Sequence, residues 1–172
     1  MTSLLAIDPG TVSGWSRLDG QRVVDSGTVR TDSARGLETA RQIVASVPDG
    51  ALVAVETLGY LPSGKARFDT AWGLGVHAGL WICLARCRGL EVRTVPPREW
   101  MQKMISIRGR LPRRSLGKEL SRARARAILH RDVGPDEADA LLIGVYCASL
   151  QNVPTFARQG QGATNPASDV ST

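Results

Sequence analysis

Two apolar segments of this 172-residue sequence each end in a carboxylate. The segment 4–7 runs directly into Asp8, and the segment 51–55 runs directly into Glu56. Ionised carboxylates are costly to desolvate, so their position at the ends of buried strands does not favour stability. Oxygen ligands of this kind suit Mg²⁺ or Mn²⁺, and pairs of such ions drive in-line phosphodiester cleavage. The pattern therefore predicts a metal-dependent nuclease.

A second acidic cluster opens an apolar helix late in the sequence. Asp136 and Asp139 are three residues apart, so both project from one helix face, whereas Glu137 points elsewhere. We expect Asp8 to bridge two Mg²⁺ ions, with Glu56 completing one metal site and Asp139 the other. Asp136 would ligate a metal or orient the attacking water.

The loops that follow the two strand-end acids contain small and aromatic residues. We expect Gly10 and Gly14 to keep the first loop free of bulky side chains, so that a phosphate can approach. In the second loop, Lys65 is a predicted nucleic-acid contact, and Tyr60 or Phe68 is suited to stack on an unpaired base.

The positive charge is concentrated in one region. Residues 98–131 contain eleven Lys or Arg and two acids, a local charge of +9 in a chain whose net charge is +6. Lys118, Arg122 and Arg126 repeat every four residues, a spacing at which like charges destabilise a helix by about 0.2–0.5 kcal/mol per pair. Nucleic-acid phosphates would offset this repulsion. The predicted nucleic-acid contacts of this region are Lys118, Arg122, Arg126, Arg113, Arg114 and Arg110.

These residues must be positioned by a regular set of elements. Strands are predicted over residues 3–8, 12–18, 21–30, 51–56 and 91–95. Helices are predicted over residues 33–47, 69–88, 97–104, 115–130 and 135–150. This order predicts a single α/β domain over residues 1–150, with a mixed five-stranded sheet flanked by helices on both faces. Residues 151–172 are polar and lack periodicity, which predicts a disordered tail.

Several other residues are assigned structural roles. Trp100 is expected to anchor the short helix 97–104. The apolar stripe of the helix 115–130 is predicted to consist of Leu116, Leu120, Ala123 and Ala127. The three cysteines are expected to be buried, reduced thiols: Cys83, Cys87 and Cys147. No apolar run reaches membrane-spanning length and no secretory leader is recognisable, so we expect a soluble cytoplasmic protein.

The motifs follow one another in a characteristic order. They are Asp8-Pro9-Gly10-Thr11, Glu56, Pro97-Arg98-Glu99-Trp100, Lys118-Glu119-Leu120-Ser121-Arg122-Ala123-Arg124-Ala125 and Asp136-Glu137-Ala138-Asp139-Ala140-Leu141-Leu142. Over residues 3–150 this set resembles the RuvC family of Holliday-junction resolvases, and its bacteriophage type in particular.

The resemblance implies an RNase H-like fold and a homodimer with two active sites. It implies Mg²⁺-dependent, symmetric nicking of four-way DNA junctions in recombination and repair, with ligatable 5′-phosphate ends; Mn²⁺ is expected to substitute for Mg²⁺. The acidic tetrad carries over onto Asp8, Glu56, Asp136 and Asp139, of which the third is His in some relatives. Lys118 carries over as the basic residue near the scissile phosphate. Gly59 occupies the place of the family's aromatic wedge.

The resemblance also bears on assembly and location. The helix 69–88 is apolar on more than one side, which is consistent with burial in a dimer interface. The expected location is the cytoplasm of a bacterium or of a phage-infected host, with neither a membrane partner nor a small-molecule substrate.

Two other functions are compatible with these residues. A related RNase H-like nuclease acting on RNA·DNA hybrids or branched nucleic acid would use the same metal site. A junction-binding module without catalytic activity would use the same basic helix, although four intact acids argue against it. An actin-like ATPase, which also uses an Asp-Pro-Gly-Thr loop, would need two such domains and a longer chain.

Overall fold

A computed structural model describes residues 3–57 and 68–151 of the chain. Its strands are β1 (Ser3–Asp8), β2 (Val12–Asp19), β3 (Arg22–Arg30), β4 (Leu52–Glu56) and β5 (Glu91–Val95). Its helices are α1 (Ala34–Ala45), α2 (Phe68–Cys87), α3 (Pro97–Met104), α4 (Arg114–Leu129) and α5 (Pro135–Gln151). The predicted order of elements is confirmed. The predicted tail beyond residue 151 lies outside the described residues.

The five strands form one mixed sheet in the order β3-β2-β1-β4-β5. The central strand β1 is antiparallel to β2 and parallel to β4, and β4 is parallel to β5. Ile7 is aligned with Val55, so the next residue of each strand is an acid, Asp8 in β1 and Glu56 in β4. Because parallel strands end at the same edge of a sheet, both acids lie at one edge.

Helices cover both faces of the sheet, as predicted. Leu5 and Ile7 of β1 pack into a cluster with side chains of α1 and α2. Leu4 and Ala6 point to the opposite face and pack with side chains of α3 and α5. This alternation follows from the two-residue period of a strand. All four side chains are fully buried, which explains why β1 is apolar throughout.

Helix α5 packs unusually close to β2 because small residues meet at the contact. A Cβ atom added at Gly144 would lie 2.5 Å from Cδ1 of Leu18, so a larger residue at this position would push the helix away. The hydroxyl of Ser16 donates a hydrogen bond of 3.0 Å to the carbonyl oxygen of Ala140. These contacts fix the position of α5 over β2, the neighbour of the strand β1 that carries Asp8.

The prediction of buried cysteines is correct for one residue and wrong for two. Cys147 is buried, whereas Cys83 and Cys87 are exposed with their sulfur atoms 3.9 Å apart. Helix α2 buries the face that carries Ala78, Trp81 and Ala85, and the two thiols lie away from it. Among the described helices, none combines the length and apolar character needed to cross a bilayer.

Candidate active site

Asp8 lies in a desolvated environment beside three other acids. Burial raises its pKa well above the usual value, and the negative charge of neighbouring Glu56 raises it further. The two acids of α5, Asp139 and Asp136, add smaller contributions in the same direction. The four acids are therefore close enough to repel one another in a desolvated environment, which is a recurring property of functional sites.

Glu56 is held from the side by a tryptophan. Nε1 of Trp100, in α3, donates a hydrogen bond of 2.9 Å to Oε1 of Glu56, and this indole is only 2% exposed. Burial raises the pKa of Glu56, while the hydrogen bonds from Asp8 and Trp100 oppose that rise. The predicted anchoring role of Trp100 is confirmed by its burial, but its contact with the acid was not foreseen. The two residues are 44 positions apart, and no local pattern reports such a pairing.

The loop after Asp8 is fixed by a hydrogen-bonded network that reaches α2. The hydroxyl of Ser13 donates to the carbonyl oxygen of Gly10 at 2.9 Å and accepts from Nε1 of Trp81 at 3.0 Å. The hydroxyl of Thr31 donates to the same carbonyl at 3.0 Å and lies 2.9 Å from Nδ1 of His77, from which it can accept. The backbone beside the central acid is thereby rigid.

Gly14 serves packing rather than phosphate approach. It pairs with Asp8 across β1 and β2, and a Cβ atom added to it would collide with the carbonyl group of Asp136. The expectation that Gly14 keeps a loop open is therefore wrong. The missing side chain instead lets the first turn of α5 approach the strand edge, which brings Asp136 and Asp139 towards Asp8.

Asp139 connects the acidic group to α4. Burial raises its pKa to about 6, against a hydrogen bond from Ser121 and the positive charge of Lys118, which both favour the ionised form. Ser121 is 1% exposed. A serine buried within a helix requires a hydrogen-bonding partner, but the predicted stripe of α4 did not include Ser121 and so gave no signal of its burial.

Glu137 points away from the other acids, as predicted. It is 7% exposed and accepts hydrogen bonds from the hydroxyl of Ser26 at 2.7 Å and from the guanidinium of Arg131 at 2.5 Å. Arg131 also donates to Ser26 at 3.1 Å. This three-residue cluster ties β3, the α4–α5 connection and the first turn of α5 together.

The acidic group has the composition of a divalent-cation site. Within residues 3–57 and 68–151, no three Asp, Glu, His or Cys side chains are already arranged to hold a metal ion. Burial and the negative charge of Glu56 raise the pKa of Asp8, so the two carboxyl groups lie close together in a desolvated environment. An all-oxygen set of buried acids suits Mg²⁺ or Mn²⁺, and the charge of such a cation would relieve this repulsion. The residues therefore fit a divalent cation, provided that the carboxylates reorient.

The buried face of α4 differs from the predicted apolar stripe. Gly117, Ser121 and Ala125 face the interior, while Leu116 and Ala123 are exposed. Hydrophobicity predicts a stripe of larger side chains, but the contact of Ser121 and Ala125 with α5 requires small residues on this face. Ala127 of the predicted stripe is also exposed, and Leu120 is half-buried.

The predicted basic contacts of α4 have different surroundings. Lys118 is exposed and acts electrostatically on Asp139. Nε of Arg122 donates to the carbonyl oxygen of Val133 at 3.3 Å. Arg126 forms an exposed ion pair of 3.4 Å with Asp132. The sequence predicted no such intramolecular partners for the last two arginines.

The basic segment before α4 is an ordered turn rather than an open loop. Ile107 and Arg110 exchange backbone hydrogen bonds of 2.9 and 3.0 Å. The residues between them, Arg108 and Gly109, have φ of 48° and 77°, as a tight two-residue turn requires. The predicted contacts Arg110, Arg113 and Arg114 are all exposed on this segment and the start of α4. The predicted contacts Tyr60 and Lys65 lie outside the described residues.

A groove of about 460 Å³ opens beside the acids. Glu56 and Asp139 lie at its edge, and its walls come from α3, from residues 105–112 and from α4. Lys118 and Arg114 supply the basic part of the lining, whereas most of the remainder is apolar. The acidic group thus borders a cavity rather than a flat surface.

Comparison with known proteins gives a structural but not a sequence match. No protein-family model and no curated protein matches this sequence. The fold resembles Thermus thermophilus RuvC in complex with a Holliday junction substrate, with a TM-score of 0.62, 20% identity, and coverage of 88% of this chain and 96% of that one. A second structure of Thermus thermophilus RuvC matches with a TM-score of 0.60, 22% identity, and coverage of 87% and 96%. The chain therefore has the RNase H-like fold of the RuvC resolvases.

Proposed function

We propose that this protein is a structure-specific endodeoxyribonuclease that resolves four-way DNA junctions by paired, symmetric nicks. The observation that carries the proposal is the meeting of Asp8, Glu56, Asp136 and Asp139 at one edge of the sheet, beside a basic helix. Its structural neighbour, Thermus thermophilus RuvC, has a Holliday junction as its bound substrate. Junction DNA is accordingly the proposed partner, and cuts that leave 5′-phosphate ends are the proposed outcome.

In the proposed mechanism each of the four acids has its own role in holding metal ions or orienting water. Two Mg²⁺ ions, or Mn²⁺ in their place, would supply an activated water and stabilise the leaving oxygen. Asp8 would contribute to both metal positions, Glu56 to one and Asp139 to the other. Asp136 would act as a ligand or orient the water. Trp100 and Ser121 keep one oxygen of Glu56 and one of Asp139 occupied, which limits how these carboxylates can turn.

The basic residues would bind and orient the strand. Lys118 lines the groove with Glu56 and Asp139 and its charge favours the ionised form of Asp139, so we assign it to the scissile phosphate. Arg114 lines the same groove, Arg110 and Arg113 are exposed on the segment just before α4, and all three would bind neighbouring phosphates. Arg122 and Arg126 would contribute at the far end of α4, where DNA would compete with their present partners.

A homodimer is part of the proposal because two symmetric nicks need two active sites. Helix α2 exposes Trp72 and Val76, whose relative exposures are 65% and 53%. Large exposed apolar side chains on one helix favour burial against a second copy. The cytoplasmic location stays a prediction from the sequence.

The deciding experiment is cleavage of a synthetic four-way junction in Mg²⁺ and in EDTA, with the nick mapped on every strand. Linear duplex and RNA·DNA hybrid serve as controls, and Asp139→Asn is the matched inactive variant. Symmetric nicks on the junction alone, absent in EDTA and in the variant, would support the proposal.

Two other outcomes would redirect it. Cutting of the hybrid in preference to the junction would retain the metal site and change the substrate. Tight junction binding without cleavage in Mg²⁺ or Mn²⁺ would identify a binding module instead.

A further inference from the structure

The groove beside the acids has features that phosphodiester hydrolysis alone does not require. A nuclease site needs carboxylates and access for a phosphate, both of which an open surface can provide. Here the acids border a cavity of about 460 Å³ with mostly apolar walls. That volume lies within the range of cavities that hold small organic groups.

The walls of the groove are built from three separate elements. Trp100 and Met101 come from α3, Leu111 from the basic segment, and Gly117 from α4. A Cβ atom at Gly117 would lie 3.6 Å from Cγ of Pro112, an ordinary contact, so this glycine is not required by packing. The absence of a side chain there instead keeps the groove open.

The charges around the groove indicate which group would enter it. Glu56 and Asp139 mark the end where the reacting phosphate would lie. Lys118 and Arg114 are exposed cations in the same lining, and within the described chain Arg114 has no ion-pairing partner. Apolar walls with cations beside them complement a nucleotide, whose base and sugar are largely apolar and whose phosphates are anionic.

We propose that this groove is a nucleoside subsite, which receives the base and sugar of an unpaired nucleotide adjacent to the phosphodiester that is cut. The proposal rests on the nuclease function proposed above. A nucleotide in a continuous duplex keeps its base stacked and paired, whereas one at a branch point can leave the stack at lower cost. The subsite would therefore favour cutting where the DNA is already distorted.

The test combines a protein variant whose groove is filled by a side chain with DNA junctions that lack one base. Gly117→Met places a flexible apolar side chain in the groove, and Ala127→Met is the matched control, because Ala127 is exposed on the same helix and does not line the groove. Single-turnover cleavage is measured on an intact junction and on junctions that carry one abasic nucleotide at successive positions around the cut.

For the parent protein, we expect one flanking abasic position to slow cutting about tenfold, as loss of one base contact would. Gly117→Met should slow cutting of the intact junction by a similar factor. The variant should cut the junction that is abasic at that flanking position at nearly the same rate as it cuts the intact junction. Ala127→Met should behave like the parent. Equal cutting of all abasic junctions by the parent, or unchanged cutting by Gly117→Met, would overturn the subsite while leaving the nuclease function intact.

A second readout does not depend on cleavage. A junction with 5-iododeoxyuridine at each flanking position is irradiated in EDTA, and the attached peptide is identified by mass spectrometry. Attachment to the α3 peptide that contains Trp100 and Met101, lost in Gly117→Met and kept in Ala127→Met, would support the subsite. Attachment only elsewhere would overturn it. Failure of the parent to cut any intact junction would count against the proposed function, whereas the crosslinking in EDTA tests the subsite independently of cleavage.

Discussion

Gly14 lies directly against the carbonyl group of Asp136, with no room for a side chain between them. Gly14→Ala should therefore push the first turn of α5 outwards and lower the free energy of unfolding by about 1–3 kcal/mol, as overpacking does. Cleavage should fall further than stability explains, because Asp136 and Asp139 move with the helix. Urea denaturation and junction cleavage measure the two effects. Gly134→Ala is the control, since a Cβ there meets nothing within 4 Å; equal behaviour of the two variants would contradict the prediction.

The cluster of Glu137, Arg131 and Ser26 should stabilise the start of α5. Glu137→Gln retains a side chain of the same shape but removes the charge that Arg131 neutralises, and we expect a loss of about 1–3 kcal/mol in the free energy of unfolding. The Mg²⁺ concentration for half-maximal cleavage should rise, because the adjacent acids lose their fixed position. Glu38→Gln breaks the exposed pair with Arg41 and should change little. A Glu137→Gln protein with unchanged stability and metal requirement would show that the cluster has no positioning role.

The acidic group should make stability depend on pH in the absence of divalent ions. Burial raises the pKa of Asp139 to about 6, so its stabilising contribution is complete below the unfolded value near 4 and is lost as the pH rises through 6. Between pH 7 and pH 5 this acid alone should add about 1 kcal/mol to the free energy of unfolding. Asp8, whose pKa is also raised, should act in the same direction.

Urea denaturation in EDTA at the two pH values measures this dependence, and Asp139→Asn should reduce it. Mg²⁺ at pH 7 should restore much of the stability that ionisation removes. A parent protein that is less stable at pH 5 than at pH 7, and by the same amount as the variant, would contradict the prediction.

Lys118 should contribute more to cleavage than to binding. Its charge acts on Asp139 within the acidic group, so Lys118→Ala should lower single-turnover cleavage by about tenfold or more while binding weakens only modestly. Arg124→Ala is the control, because Arg124 is exposed on the same helix and does not line the groove. The dissociation constant is measured over a range of salt concentrations. Equal losses in binding and cleavage, with a reduced salt slope, would make Lys118 a simple phosphate contact.

The strands and most helix bounds were predictable because their signals are local. The run before Asp8 is short and apolar, and Pro135 with the following acids marks the start of a helix. The parallel pairing of β1 with β4, which the structure shows, then places Asp8 and Glu56 at one edge of the sheet. Local patterns therefore predict the elements that carry the acids, and the pairing of the strands brings two of them together.

The interactions that fix the acids were not predictable in the same way. The Trp100–Glu56 hydrogen bond joins distant parts of the sequence, and Ser121 reaches Asp139 only because α4 packs close to α5. The prediction of the inward face of α4 is wrong because the close contact with α5 is made by the small residues Ser121 and Ala125 and not by larger apolar ones. These contacts depend on the distances between helices and strands, and the sequence of a single segment does not determine those distances.

Helix α2 connects two regions that would otherwise be independent. Its His77 and Trp81 hold the loop that follows Asp8, while Trp72 and Val76 on the same helix are exposed. A partner seated on that exposed surface would be a few turns of one rigid helix away from the central carboxylate. If the partner is a second copy of the chain, the two active sites share a mechanical link, and the timing of one cut can depend on the state of the other.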